Sequence, residues 1–169
     1  MRKEALIWLN ILLLLGLLLV IFEKNFPREN IYEDDTLQHL GMSREDVIER
    51  YGAPDYVGSI GGPGGENLFY EDIKTLFIFA GDSDVVNNLE LFPGKEFLGV
   101  EVGMTFDEIV NILGLPQARG YDFYMNDYTI VYHFGEEKDG MGELEIWFSA
   151  EYDGKPTRRA QVFWKKHWR

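Results

Sequence analysis

Cysteine is absent from this chain of 169 residues. That excludes disulfide bridges, thiolate chemistry, sulfur-ligated zinc and lipid attachment through an N-terminal cysteine. Histidine is nearly as scarce. His39, His133 and His167 are the only three, and none stands in a metal-ligand spacing such as His-Glu-x-x-His. Basic charge is short too: 16 Lys and Arg against 29 Asp and Glu leave a formal net charge of −13. A surface of that sign is repelled by nucleic acid and by anionic headgroups, so no nucleic-acid partner is expected.

The motifs of catalysis are missing as well. Ser59, in Val57-Gly-Ser-Ile-Gly61, is out of register for a nucleophile elbow. The run Gly61-Gly-Pro-Gly-Gly65 has no following Lys-Ser/Thr and leads into a strand pattern rather than a helix, so it is not a phosphate loop. Asp82-Ser-Asp84 opens like a calcium loop, but the sixth position is Asn87 and the twelfth is Pro93. Glu136, Glu137 and Asp139 are read as a solvated hairpin tip. No catalytic residue, cofactor or metal site is assigned. With 29 acids a carboxylate pair for glycoside cleavage stays open, though nothing singles one out.

The chain has one long hydrophobic run. Residues 5–22 carry no charge, and as a helix they would span about 27 Å, close to the thickness of a bilayer core. The run ends Val20-Ile21-Phe22-Glu23-Lys24, without the small residues of a signal-peptidase site. The expectation is an uncleaved signal anchor in membrane lipid, oriented N-in by Arg2 and Lys3, with the folded part outside the cytoplasm. Residues 23–36, acidic and containing Pro27, read as a polar tether.

The rest of the chain says one thing twice. Gly41-Met-Ser-Arg-Glu-Asp-Val-Ile-Glu-Arg-Tyr-Gly-Ala-Pro54 aligns without a gap, at an offset of 62, with Gly103-Met-Thr-Phe-Asp-Glu-Ile-Val-Asn-Ile-Leu-Gly-Leu-Pro116. Ser43 and Thr105 are helix caps with an acid three residues on, and acids fill the first turns. Gly52 and Gly114 sit where a helix ends, and Pro54 and Pro116 prevent its resumption. Strand patterns follow each helix: 68–70, 75–80 and 85–92 in the first copy, then 123–125, 128–134, 143–149 and 160–164 in the second. Phe69-Tyr70 is matched to Phe123-Tyr124. The expected fold is therefore α+β, a tandem repeat of a short helix plus an antiparallel three- to four-stranded sheet, preceded by one transmembrane helix. Its parts are an anchor (1–22), a tether (23–36), unit 1 (37–99) and unit 2 (100–169).

Alternation sorts the strands of the second unit into two faces. Tyr128, Ile130, Tyr132, Phe134, Leu144, Ile146, Phe148, Ala160, Val162 and Trp164 go to the core. The opposite face takes His133, Trp147 and Phe163 among polar residues. Trp147 and Phe163 are either aromatic anchors for a partner or covered by another element, and the sequence leaves both readings open. The glycine loop, with Gly61, Gly62 and Gly64, is a candidate recognition loop. The basic, aromatic tail Trp164-Lys-Lys-His-Trp-Arg169 reads as a solvated strand end.

The Gly-Met-Ser/Thr opening, the short acidic helix, the Gly-x-Pro stop and the aromatic-rich strands resemble the beta-lactamase inhibitor protein superfamily. That group includes the small outer-membrane lipoprotein of the barrel-assembly machinery. The chain is also similar to anchored Gram-positive proteins with a tandem Gly-x-Pro repeat. The resemblance covers about residues 37–169. It implies helices on one side of an antiparallel sheet whose other side binds protein, but it carries over no binding residue. The expected role is a membrane-anchored, extracytoplasmic, noncatalytic module of the cell envelope, presenting a sheet face to a protein or envelope partner. The alternatives are a wall-active hydrolase using Asp or Glu and a membrane-bound sensor.

Overall fold

A computed structural model describes residues 33–58, 66–79, 84–134 and 143–165. The two Gly-to-Pro segments fold alike. Helix α1 is Arg44–Tyr51 and α2 is Phe106–Leu113. Ser43 and Thr105 have the same extended backbone (φ −70°, ψ 161° and φ −71°, ψ 161°), and both close a capping box with Asp46 and Glu108. The Ser43 Oγ accepts from Asp46 N at 3.1 Å, and Thr105 N donates to Glu108 Oε2 at 2.8 Å. That bond and the Thr105 hydroxyl hold the Glu108 carboxyl below the usual carboxylate range. Gly52 and Gly114 end the helices at φ 80° and 88°, a region that strains any residue with a Cβ.

Ten strands accompany the helices among the described residues: β1 (Tyr56–Gly58), β2 (Asn67–Tyr70), β3 (Thr75–Phe79), β4 (Val86–Leu91), β5 (Glu96–Phe97), β6 (Val100–Glu101), β7 (Ala118–Asp122), β8 (Asp127–Phe134), β9 (Glu143–Ala150) and β10 (Thr157–Lys165). Here the expected fold class is corrected. The strands do not form two small sheets, each with its own helix. Eight of them make one antiparallel sheet in the order β1-β2-β3-β4-β10-β9-β8-β7, with β5–β6 a separate hairpin. The seam is β4 against β10, with Leu89 opposite Val162 and Leu91 opposite Ala160. Among the described residues the fold is mostly sheet, with two eight-residue α-helices.

The transmembrane helix expected ahead of the fold, and with it the description as a signal-anchored membrane protein, finds no support in the structure. No helix among the described residues is long and apolar enough to cross a membrane. Segment 5–22 lies outside the described residues. Asp34 is part of the folded body: its carboxylate accepts from Thr36 N at 2.9 Å and from Leu98 N at 2.7 Å.

The core occupies one side of the sheet. Leu68, Phe77, Leu89, Leu91, Ile130, Tyr132, Leu144, Ile146, Phe148 and Val162 pack there against Val47 of α1 and against Phe106 and Ile109 of α2. The β5–β6 hairpin adds Phe97, stacked on Phe148 at 5.6 Å between centroids. Ala160 belongs to this core, with Tyr128 and Trp164 half-buried at its margin. Each fully buried apolar side chain contributes about 1.5–3 kcal/mol. Two tyrosines fix the helices to the sheet. The Tyr70 hydroxyl donates to the Gly52 carbonyl and the Tyr132 hydroxyl to the Gly114 carbonyl, both at 2.9 Å. The structural match of Tyr70 is thus Tyr132, not Tyr124.

Candidate functional site: the open sheet face

The side chains that alternate with the core residues point to the other face of the sheet. None of them joins the core cluster that includes α1 and α2. Register places them in rows. Leu76, Glu90, Gln161, Trp147 and Val131 lie side by side across β3, β4, β10, β9 and β8. The neighbouring row runs through Asn88, Phe163, Glu145 and His133.

Trp147 and Phe163 are diagonal neighbours across β9 and β10. Their ring centroids are 5.9 Å apart at a tilt of 57°. Both are half-buried, so they belong neither to the core nor to open solvent. The Trp147 indole N–H is buried and has no hydrogen-bond partner among the described residues. A buried donor of this kind costs free energy until an acceptor arrives.

His133 closes one end of the face between two acids. Its Nε2 is 3.2 Å from Glu145 Oε1 and its Nδ1 is 3.4 Å from Glu143 Oε1. A neutral imidazole carries one N–H and serves one of them as donor; only the imidazolium serves both. Glu145 is 3% exposed, set between Phe163 and His133 by the register. Spacing along the sequence could not pair His133 with Glu145, because the contact follows from the β8–β9 register alone.

At the other end lies a charge network that the sequence gives no signal for. Asp127, 1% exposed, accepts from Arg158 and, at 3.1 Å, from Arg159 Nη2. Glu90 approaches Arg159 Nη1 at 3.5 Å. With Phe92 and Met125 these residues line a cavity of about 400 Å³. The charges balance and are mutually committed, which makes the network a brace rather than a reactive centre. Among the described residues, no group of three or more His, Asp or Glu could hold a metal ion.

Beside Trp147 the face dips into a shallow groove of about 580 Å³ toward β7. Val131, Thr129 and Gly120 form its floor, with Phe123 and Tyr124 at the rim. Phe123 and Tyr124, expected in a strand, instead form the β7–β8 turn. Asp122 Oδ1 accepts from the backbone N–H of Tyr124 at 2.8 Å and of Met125 at 3.1 Å, bending the chain there. Their rings are left 86% and 101% exposed. Gly61, Gly62 and Gly64 lie outside the described residues.

No protein-family model and no curated protein sequence matches the chain. Among solved structures, it is similar to a DUF4309 family protein from Bacillus subtilis, with 15% identity and a TM-score of 0.48 over 73% of this chain and 78% of that one. It is also similar to an extracellular protein containing a SCP domain from Bacillus anthracis, with 10% identity and a TM-score of 0.50 over 76% of this chain. A third is a cysteine-rich secretory protein from Staphylococcus aureus, with 14% identity and a TM-score of 0.45 over 76% of this chain. The match spans 45% of each of the last two proteins. At these identities the likeness concerns the fold alone.

Proposed function

We propose that the chain is an extracytoplasmic, noncatalytic binding module that presents the open sheet face to a protein partner of the cell envelope. The observation that carries the reading is the half-buried Trp147–Phe163 pair, with an indole N–H that lacks an acceptor among the described residues, on the sheet face turned away from the core that holds α1 and α2. Aromatic anchors surrounded by polar residues are the composition of binding hot spots. The Glu143–His133–Glu145 cluster supplies polar specificity at the rim. An extracytoplasmic placement is supported by the Bacillus anthracis protein of similar fold, which is described as extracellular. Noncatalysis is supported by a groove that is shallow and by carboxylates already engaged with His133 or with arginine.

The test places a photo-crosslinking amino acid at position 161, beside Trp147 in its row, and separately at the exposed Glu49 on α1, in the full chain expressed in its own host. A single envelope protein crosslinked at 161 and not at 49 is the expected result. Trp147→Ala combined with Phe163→Ala should reduce its capture at least tenfold while the far-ultraviolet dichroism stays unchanged. Equal labelling from both positions, or capture indifferent to the double substitution, would overturn the proposal.

A further inference from the structure

The outer side of β7 is an exposed sheet edge. β7 ends the eight-stranded sheet, and among the described residues no strand pairs with its far side. Sheet edges are ordinarily kept short, or are interrupted by proline, lysine or a bulge, because they template pairing with other chains. The opposite edge obeys this rule: β1 is three residues long. β7 has five residues in unbroken register with β8, and neither proline nor lysine. Its charges are committed within the chain. Arg119 binds Asp107 at 3.1 Å and Asp153 at 2.6 Å, and Asp122 caps the following turn.

Apolar surface gathers along the same edge. Of ten exposed large hydrophobic residues among those described, Ile112, Leu115, Tyr121, Phe123 and Tyr124 lie within thirteen consecutive positions. Leu115 is 75% exposed. At about 150–250 Å² for each aromatic side chain, two copies of this cluster supply on the order of 1,000 Å², the size at which a specific interface begins.

We propose that β7 pairs antiparallel with β7 of a second copy of this chain, about a twofold axis through Gly120, joining two sheets of eight into one of sixteen. The segment Ala118-Arg-Gly-Tyr-Asp122 is self-complementary in that register. Arg119 of one copy lies across from Tyr121 of the other, an arrangement that favours cation–π contact. Leu115 and Gln117 of one copy approach Phe123 and Tyr124 of the other. Gly120 meets itself at the axis, and within one chain a Cβ there would touch nothing within 4 Å. A twofold interface uses the same patch on both subunits, as an edge pairing with itself requires. The net charge of −13 per copy opposes approach, so association strengthens as salt screens the repulsion.

Sedimentation equilibrium of the full chain, from low to high micromolar concentration and at two salt levels, reads the outcome. Twice the chain mass is expected, with tighter association at the higher salt. Gly120→Lys and Gly120→Asp each put like charges face to face at the axis and should return the single-chain mass with unchanged dichroism. An equimolar mixture of the two should recover the dimer. Should either fail to fold, Phe123→Ser with Tyr124→Ser, both at exposed positions, replaces it and is likewise expected to give single chains. A wild-type chain of single mass under every condition overturns the proposal. So does a dimer that survives the charged variants, or a mixture that stays dissociated.

Discussion

At the scale of single residues, the chemistry of a few buried polar groups sets how stability depends on pH. His39 is 2% exposed, with Nε2 2.5 Å from the Tyr51 hydroxyl and its ring edge-on to Phe77. Burial first, then Arg50 and Lys95, lower its pKa from 6.5 to about 4. The folded state therefore keeps a neutral ring where the unfolded chain takes up a proton. Stability from this site is full above pH 6.5 and is lost as pH falls through 4, by about 3 kcal/mol across that interval. His39→Phe should flatten this part of the profile of unfolding free energy against pH. An unchanged slope would refute the assignment. Tyr132 mirrors it at the alkaline end, where burial raises the hydroxyl to about 12. Between pH 10 and 12 the unfolded chain ionises before the native one, so stability falls as pH rises, and Tyr132→Phe should lessen that slope, with Tyr51 and Tyr70, also raised by burial, keeping a part of it. Asp127 is a buried carboxylate, bound by Arg158 and Arg159 while 1% exposed. Asp127→Asn should cost about 3 kcal/mol, the low end for a broken buried pair, because the Arg158 side chain is half exposed. A denaturant midpoint that does not move would show the network to be idle.

At the scale of elements, the caps explain what could be read in the sequence and what could not. A Ser or Thr followed three residues later by an acid, then Gly and Pro, states both ends of a helix locally. Both helices accordingly appear where those residues put them. Thr105→Ala should lower stability by about 1 kcal/mol, and Ser43→Ala by a similar amount, with thermal unfolding as the measure. A change several times larger in either would mean the cap also holds tertiary contacts. Strands are less legible because their partners are remote. Ala118-Arg-Gly-Tyr-Asp122 has the composition of a loop, yet it pairs with β8 over its whole length. The Gln117 side-chain amide extends that ladder, bonding both the N–H and the carbonyl of His133. Phe123-Tyr124 has the composition of a strand, yet the Asp122 side chain turns it outward. In both places a side chain bonding backbone outweighs intrinsic preference. The pair Trp147 and Phe163 could be put on one face by alternation alone. Their neighbours His133 and Glu145, and the arginine network, depend on register, which a single sequence does not carry.

At the scale of the molecule, the β4–β10 seam decides how the two halves behave. Nothing in Val86-Asn-Asn-Leu-Glu-Leu91 names β10 as its neighbour, which is why the sequence suggests two small sheets where there is one. Leu89 and Leu91 are fully buried, each between a β3 residue on one side and a β10 residue on the other. Either half alone would expose one of these strand edges together with the apolar row beside it. Two halves joined through their central strands, rather than through a linker, should unfold in a single step. Leu89→Ala, worth about 2–5 kcal/mol, should then weaken distant elements of both halves equally. Native-state amide exchange reads this directly. The slowest amides of β3 and of β9 should share one opening free energy in the wild type, and both should fall by the same amount in the variant. A loss confined to β3 and β4, with β8 and β9 still protected, would show that the halves are separate cooperative units that merely share a sheet.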